Sequence, residues 1–167
     1  VLHLSNAMLI LFLLVWTYLD LTEGHSKILL NFSFFIFFVV SITIIAGAFV
    51  AGMDAGLMYN EYPMMGGSLI PENYGEYKLL DPFENPASAQ FHHRHLALLT
   101  LVCVLIYCYK SYKKSKDSRM KKILLCIPVI VCVQFFLGVV TLINMVPVHL
   151  GALHQAVAIL LFLAVTY

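Results

Sequence analysis

Charge is what this sequence has least of. Ten Lys and Arg and nine Asp and Glu make up 11% of 167 residues, where a water-facing domain carries about 25%. So few ionic groups cannot coat a soluble enzyme or keep a disordered tail in solution, and both classes are excluded. Net charge is +1, so no positive field gathers nucleic acid. Glycine and proline, 9 and 6 residues, are too scarce for a collagen-like repeat. Cysteine is present four times, as Cys103, Cys108, Cys126 and Cys132, always inside an apolar run and at no zinc-ligand spacing. That excludes a disulfide-stapled secreted domain and predicts four buried apolar side chains. No signal or transit peptide is visible. Val1 opens directly onto one apolar run and Tyr167 ends inside another, which predicts a piece of a longer protein.

What is abundant is hydrocarbon: 61% of the residues are hydrophobic. A bilayer core about 30 Å thick takes roughly 20 residues of apolar helix. Positions 2–19, 28–53, 95–109 and 123–167 carry no charge. The third run becomes a full span if it starts near Ala89 and takes in Arg94. The fourth is divided by Asn144 and Pro147, because proline lacks an N–H and restrains the residue before it. Helices are therefore expected near 2–19, 28–52, 89–110, 121–143 and 149–167, with a kink at Pro128. No period-two alternation argues for a barrel, and lipid admits no other strand structure. The fold class is an all-α, polytopic transmembrane helix bundle of about five spans, embedded in a lipid bilayer.

Seven cations lie between Lys110 and Lys122, with Asp117 the one acid. The positive-inside rule places this loop, 110–122, in the cytoplasm or matrix. The long loop 53–88 then lies outside, with six acids and one lysine. Its Tyr62-Pro63, Gly66-Gly67 and Pro71 predict a structured, irregular segment that could act as a lid.

Counting from the basic loop, the first, third and fifth helices run from outside to inside, and each carries a histidine in its first turns: His3, His93 and His154. A lone histidine at that depth is an ordinary interfacial anchor. Three at matched depth on separate helices point to the bundle interior and to function. Neutral imidazole is the commonest metal ligand, and two facing imidazoles form an axial pair for haem iron. Arg94, next to His93, can pair with a haem propionate or snorkel to headgroups. His92 and His95 point to other faces of the same helix, His149 precedes the last helix and His25 lies in the short inner loop; these read as interfacial. The first and last helices share His, three residues, Ala, apolar, Leu (His3 to Leu9, His154 to Leu160), the trace expected of a duplicated bundle. Residues 28–167 would then be one complete four-helix half, and 1–20 the last helix of the other. Gly47 with Ala51 and Ala48 with Gly52 are small-xxx-small pairs, suited to close packing or to a flat macrocycle.

Taken together, Gly47 to Gly56 with Tyr59-Asn60, Phe83-Glu84-Asn85-Pro86 leading into Gln90-Phe91-His92-His93-Arg94, His154-Gln155, and His3-Leu4 resemble haem A synthase, the family of bacterial CtaA and its mitochondrial counterpart. The resemblance covers nearly the whole chain. It implies an eight-helix protein of two four-helix halves, of which this chain holds the C-terminal half and one helix of the other. It implies an oxidoreductase that converts the C8 methyl of haem O to a formyl group, giving haem A for cytochrome c oxidase. By the same resemblance His93 and His154 hold the iron of a b-type haem, and His3 contacts the iron of substrate or product haem. The partner of His3 and the family's key extracytoplasmic glutamate belong to a part outside this sequence, so the isolated segment is expected to be catalytically incomplete. Where the family commonly has Asp or Asn before the ligand, this chain has His92; Arg94 keeps the register and assigns the role to His93. An electron donor and haem O synthase are the implied partners, with a homo-oligomer left open. Glu84-Asn85-Pro86 leans towards the mitochondrial inner membrane, with a bacterial plasma membrane as the alternative. Two readings compete: a non-catalytic dihaem b-type membrane cytochrome in electron transfer, and a transporter whose three histidines relay protons or bind a metal.

Overall fold

A computed structural model describes residues 1–23 and 32–166. Its long helices are α1 (Leu2–Glu23), α2 (Phe32–Gly52), α4 (Pro86–Lys114), α5 (Ser118–Ile143) and α6 (Val148–Thr166), with a short α3 (Asp81–Glu84). All five long helices are long and apolar enough to cross a membrane, as expected. Their starts differ by a few residues for a local reason. Helix α4 begins at Pro86, three residues before the expected Ala89, because Asn85 accepts a hydrogen bond from the Ala87 N–H at 3.0 Å and Pro86 takes the first helical position. Helix α5 begins at Ser118 because Asp117 caps it by accepting from the Arg119 N–H at 2.8 Å. Pro128 lies inside α5, and the helix carries on past it. His25 lies outside the described residues.

Helices α2, α4, α5 and α6 close into a ring, each packed on two neighbours, and α1 lies outside it against α6 and α2. The ring is solid at the basic end. Ile36, Val40, Val104, Cys108, Leu124, Ile127, Val131, Leu161 and Phe162 fill it, with Met8 of α1 alongside. Phe37 bridges α1 and α6, its ring centroid 4.8 Å from Phe12 and 5.2 Å from Phe162. In lipid no hydrophobic drive separates such residues from their surroundings, so close packing carries the contact. The outward faces are leucine, valine and phenylalanine, as in Leu14, Val129 and Phe136, a helix surface suited to acyl chains. This corrects the expectation for cysteine. Cys108 alone is buried; Cys103 and Cys132 are half-buried and Cys126 is exposed. An apolar run predicts an apolar environment, and on the rim of a membrane bundle that environment is lipid.

The outer loop is irregular but tied down. Among the described residues it holds two 3-10 turns, Ala55–Leu57 and Lys78–Leu80, then α3. Asn60 Nδ2 donates to the carbonyls of Gly56 and Leu142, both at 2.9 Å, fastening the loop to the end of α5. Asp81 is the second knot. Its carboxylate accepts from the Gly75 and Tyr77 N–H groups, the Asn85 amide and the Ser88 hydroxyl. Burial alone would raise its pKa, but the hydrogen bonds from Ser88, Tyr77, Gly75 and Asn85 outweigh it and bring the value down to about 2.

Candidate functional site

The outer half of the ring is hollow. A cavity of about 460 Å³ lies there, walled by all four ring helices and roofed by Asp54, Gly56, Leu57 and Tyr62 of the outer loop. Both His93 and His154 line it. His93 is seven residues beyond the start of α4 and His154 six beyond the start of α6, so the rings enter at similar depth.

Each ring is seated on a glycine of the neighbouring helix. A methyl group added at Gly47 would lie 2.9 Å from Cε1 of His93, and one added at Gly138 would lie 2.8 Å from Cε1 of His154. Any larger residue would force the imidazole aside. Gly47 was singled out in the sequence as part of a small-residue stretch; Gly138, isolated among valine and leucine, gave no such signal.

The anchors differ. His93 Nδ1 donates to the Thr43 carbonyl at 3.2 Å, which fixes the tautomer and leaves the Nε2 lone pair free. Thr43 lies one helical turn before Gly47, so one face of α2 supplies both seat and anchor. Gln134 stands in the same relation to Gly138 on α5. Its Nε2 lies 3.3 Å from His154 Nε2, and His154 Nδ1 is buried without a partner.

Arg94 lines the cavity but is spent mainly on the loop. Nη1 donates to the Glu61 and Met64 carbonyls, each at 3.0 Å, and Nη2 to the Tyr59 carbonyl at 2.8 Å. Gln90 Nε2 donates to that same Tyr59 carbonyl at 3.1 Å. Arg94 is therefore a staple that holds the roof over the cavity, a role its sequence neighbourhood did not reveal. Its Nε remains buried and unpartnered.

Among the described residues, the buried side-chain polar atoms without a hydrogen-bond partner are Gln90 Oε1, Arg94 Nε, Gln134 Oε1 and His154 Nδ1. All four belong to residues of this one cavity. Such atoms are rare in folded chains, and their gathering in one cavity leaves hydrogen-bonding capacity open there.

The other histidines among the described residues do not line the cavity. His92 Nδ1 donates to the Ser88 carbonyl at 2.7 Å, its Nε2 lies 3.3 Å from the Tyr74 hydroxyl, and its ring stacks on Tyr74. His95 Nδ1 donates to the Phe91 carbonyl at 2.8 Å. His149 is exposed. His3 is exposed too, although its neighbour Leu4 reaches the cavity wall; the structure does not bring His3 to the other two rings.

Residues 1–166 match the profile of the family described as cytochrome oxidase assembly protein. The chain belongs to that family. Curated relatives within it include a heme A synthase of Granulibacter bethesdensis, 39% identical over 98% of this chain and 45% of its own length. One from Maricaulis maris is 38% identical over 97% of this chain and 49% of its own length. A human heme A synthase is 34% identical over 92% of this chain and 40% of its own length. The chain thus spans less than half the length of these family members. No solved structure matches it.

Proposed function

We propose that this chain is the C-terminal, haem-binding portion of a haem A synthase. The whole protein would convert the C8 methyl of haem O to the formyl group of haem A for cytochrome c oxidase. The observation that carries this reading is the pair of imidazoles, each seated on a glycine, entering one membrane cavity at similar depth. Residues 28–167 form the haem-binding half in this reading, and residues 1–20 belong to the other half.

The residues fit a haem. Two imidazoles are a donor set suited to haem iron. The glycine seats clear the space beside each ring, and the unpartnered Arg94 Nε suits a carboxylate at the cavity mouth. His93 and His154 would hold the iron of a b-type haem, and His3 would face the substrate or product haem. A haem held by His93 and His154 would supply one-electron chemistry there.

The chain's own residues do the rest. Thr43 holds the His93 tautomer so that Nε2 presents a lone pair. Arg94 and Gln90 hold the loop down and keep water from the cavity, where low dielectric strengthens each polar contact. The apolar outer wall suits an apolar substrate arriving through lipid. By the same reading the membrane is the mitochondrial inner membrane or a bacterial plasma membrane, with an electron donor and haem O synthase as partners.

Extracting and resolving the haems of the full-length protein tests the proposal. Haem A or a hydroxylated haem O supports it. Haem B alone would turn the assignment to a b-type electron-transfer cytochrome, and a purified protein with no Soret band would remove both.

A further inference from the structure

The two histidine seats repeat each other in geometry and differ in one respect. On α2 the anchor is a backbone carbonyl, which cannot move without unwinding the helix. On α5 it is the side chain of Gln134, which turns about ordinary rotamers. The backbone carbonyl engages Nδ1 of His93 and leaves Nε2 open. The carboxamide engages Nε2 of His154 and leaves Nδ1 without a partner. It does so in either orientation of the amide, as donor to the lone pair or as acceptor of the proton.

We infer that Gln134 is a positioning residue that caps Nε2 of His154, so that His93 is the fixed ligand of the site and His154 the exchangeable one. The inference rests on the haem reading above and concerns the order in which the two imidazoles engage. His93 is ready for iron as it stands: its proton is on the far nitrogen, held by the Thr43 carbonyl. His154 must first lose the carboxamide. When that happens Gln134 Nε2 gives up its partner and Gln134 Oε1 already has none, so the released amide has unmet hydrogen bonds to make within the cavity. That cost opposes ligation by His154 and has no counterpart at His93.

The test uses the full-length protein purified from haem-depleted cells and mixed with hemin, followed by rapid-mixing absorption spectroscopy. In the parent protein a species with one imidazole ligand forms first, and the low-spin, two-imidazole spectrum grows in afterwards. Gln134→Leu removes the cap and should make the low-spin spectrum grow about five-fold faster, the factor expected for one net hydrogen bond. Gln134→Met keeps the length of the side chain and should do the same, which guards against a packing defect in the leucine variant. His154→Ala should stop at the one-imidazole stage, reached at the parental rate. His93→Ala should reach that stage more slowly, because its one remaining ligand is the capped ring.

An unchanged or slower low-spin phase in both Gln134 variants, in a protein that does form the two-imidazole spectrum, overturns the cap and leaves the haem reading standing. If hemin gives no spectrum that responds to either histidine variant, the haem reading falls and the cap falls with it.

Discussion

The α2–α4 pair and the α5–α6 pair each present one histidine to the cavity, and the comparison separates what the site requires from what it tunes. Both pairs share a glycine under the ring, an anchor one turn earlier on the same helix, and a ring six or seven residues inside the outer end of its own helix. These shared features are steric and set where the nitrogens lie. The unshared feature is the anchor, backbone on one side and carboxamide on the other, and it sets how firmly each ring is held. In the proposed haem reading, a seat for a flat cofactor would need both glycines, while unequal ligands would need only one changed anchor.

The sharpest way to break the comparison is to remove the rings. In the full-length protein His93→Ala and His154→Ala should each abolish the low-spin haem signal, and an intact two-imidazole spectrum in both would end the equivalence of the two seats.

Next in size is filling the seats. Gly47→Ala should lower haem occupancy more than Gly138→Ala, because the His93 ring is pinned by the Thr43 carbonyl and has less freedom to yield to the added methyl. Haem-to-protein ratio after purification measures this. Equal losses would mean that the anchors do not differ in stiffness.

The third variant addresses the roof common to both seats. Arg94→Ala strips donors from three loop carbonyls and should cost about 1.5–3 kcal/mol, the range for hydrogen bonds to a charged group. Proteolysis of the 59–64 segment should speed up accordingly. Arg94→Lys restores charge but not the fork, and should recover only part of the protection.

The smallest expected effect lies farthest from the rings. Asp81→Asn removes a carboxylate that serves four donors, and should destabilise the outer loop by about 2 kcal/mol. Because the folded pKa of Asp81, about 2, lies below its ordinary 3.8, this contribution is present above about pH 4 and fades as pH falls towards 2. Protection of the loop amides from hydrogen exchange should show that acid limb in the parent and lack it in Asp81→Asn.

Much of the fold was legible because lipid imposes a simple rule on sequence: long runs without charge, ended by polar or basic residues. The five spans, the basic loop and the depth of His93 and His154 all follow from it. Helix starts were less legible, since Asn85 and Asp117 act through single capping hydrogen bonds that leave no mark in a hydropathy pattern. Cysteine exposure was misjudged because an apolar neighbourhood in sequence does not say whether the neighbours are helices or acyl chains. Depth along the helices singled out three rings in advance, of which His93 and His154 line the cavity while His3, chosen by the same rule, stays exposed outside it. The seats and anchors of the two lining rings could not be named in advance, because Thr43 acts through its backbone and Gln134 and Gly138 look like ordinary variation within an apolar helix. The same limit hid the work of Arg94, whose partners are carbonyls 30 to 35 residues earlier in the chain.

The position of the rings along their helices has an electrical consequence. Seven residues of α4 advance about 10 Å, roughly a third of a hydrocarbon layer about 30 Å thick. A full crossing of that layer costs about 2.3 kcal/mol per elementary charge for every 100 mV. An electron delivered to this depth from the outer aqueous phase therefore crosses about a third of the voltage drop or less, while one delivered from the basic side crosses the larger share of it. A charge reaching the hollow end of the ring from the outer compartment would thus do only the smaller part of the electrical work of a full crossing, about a third or less.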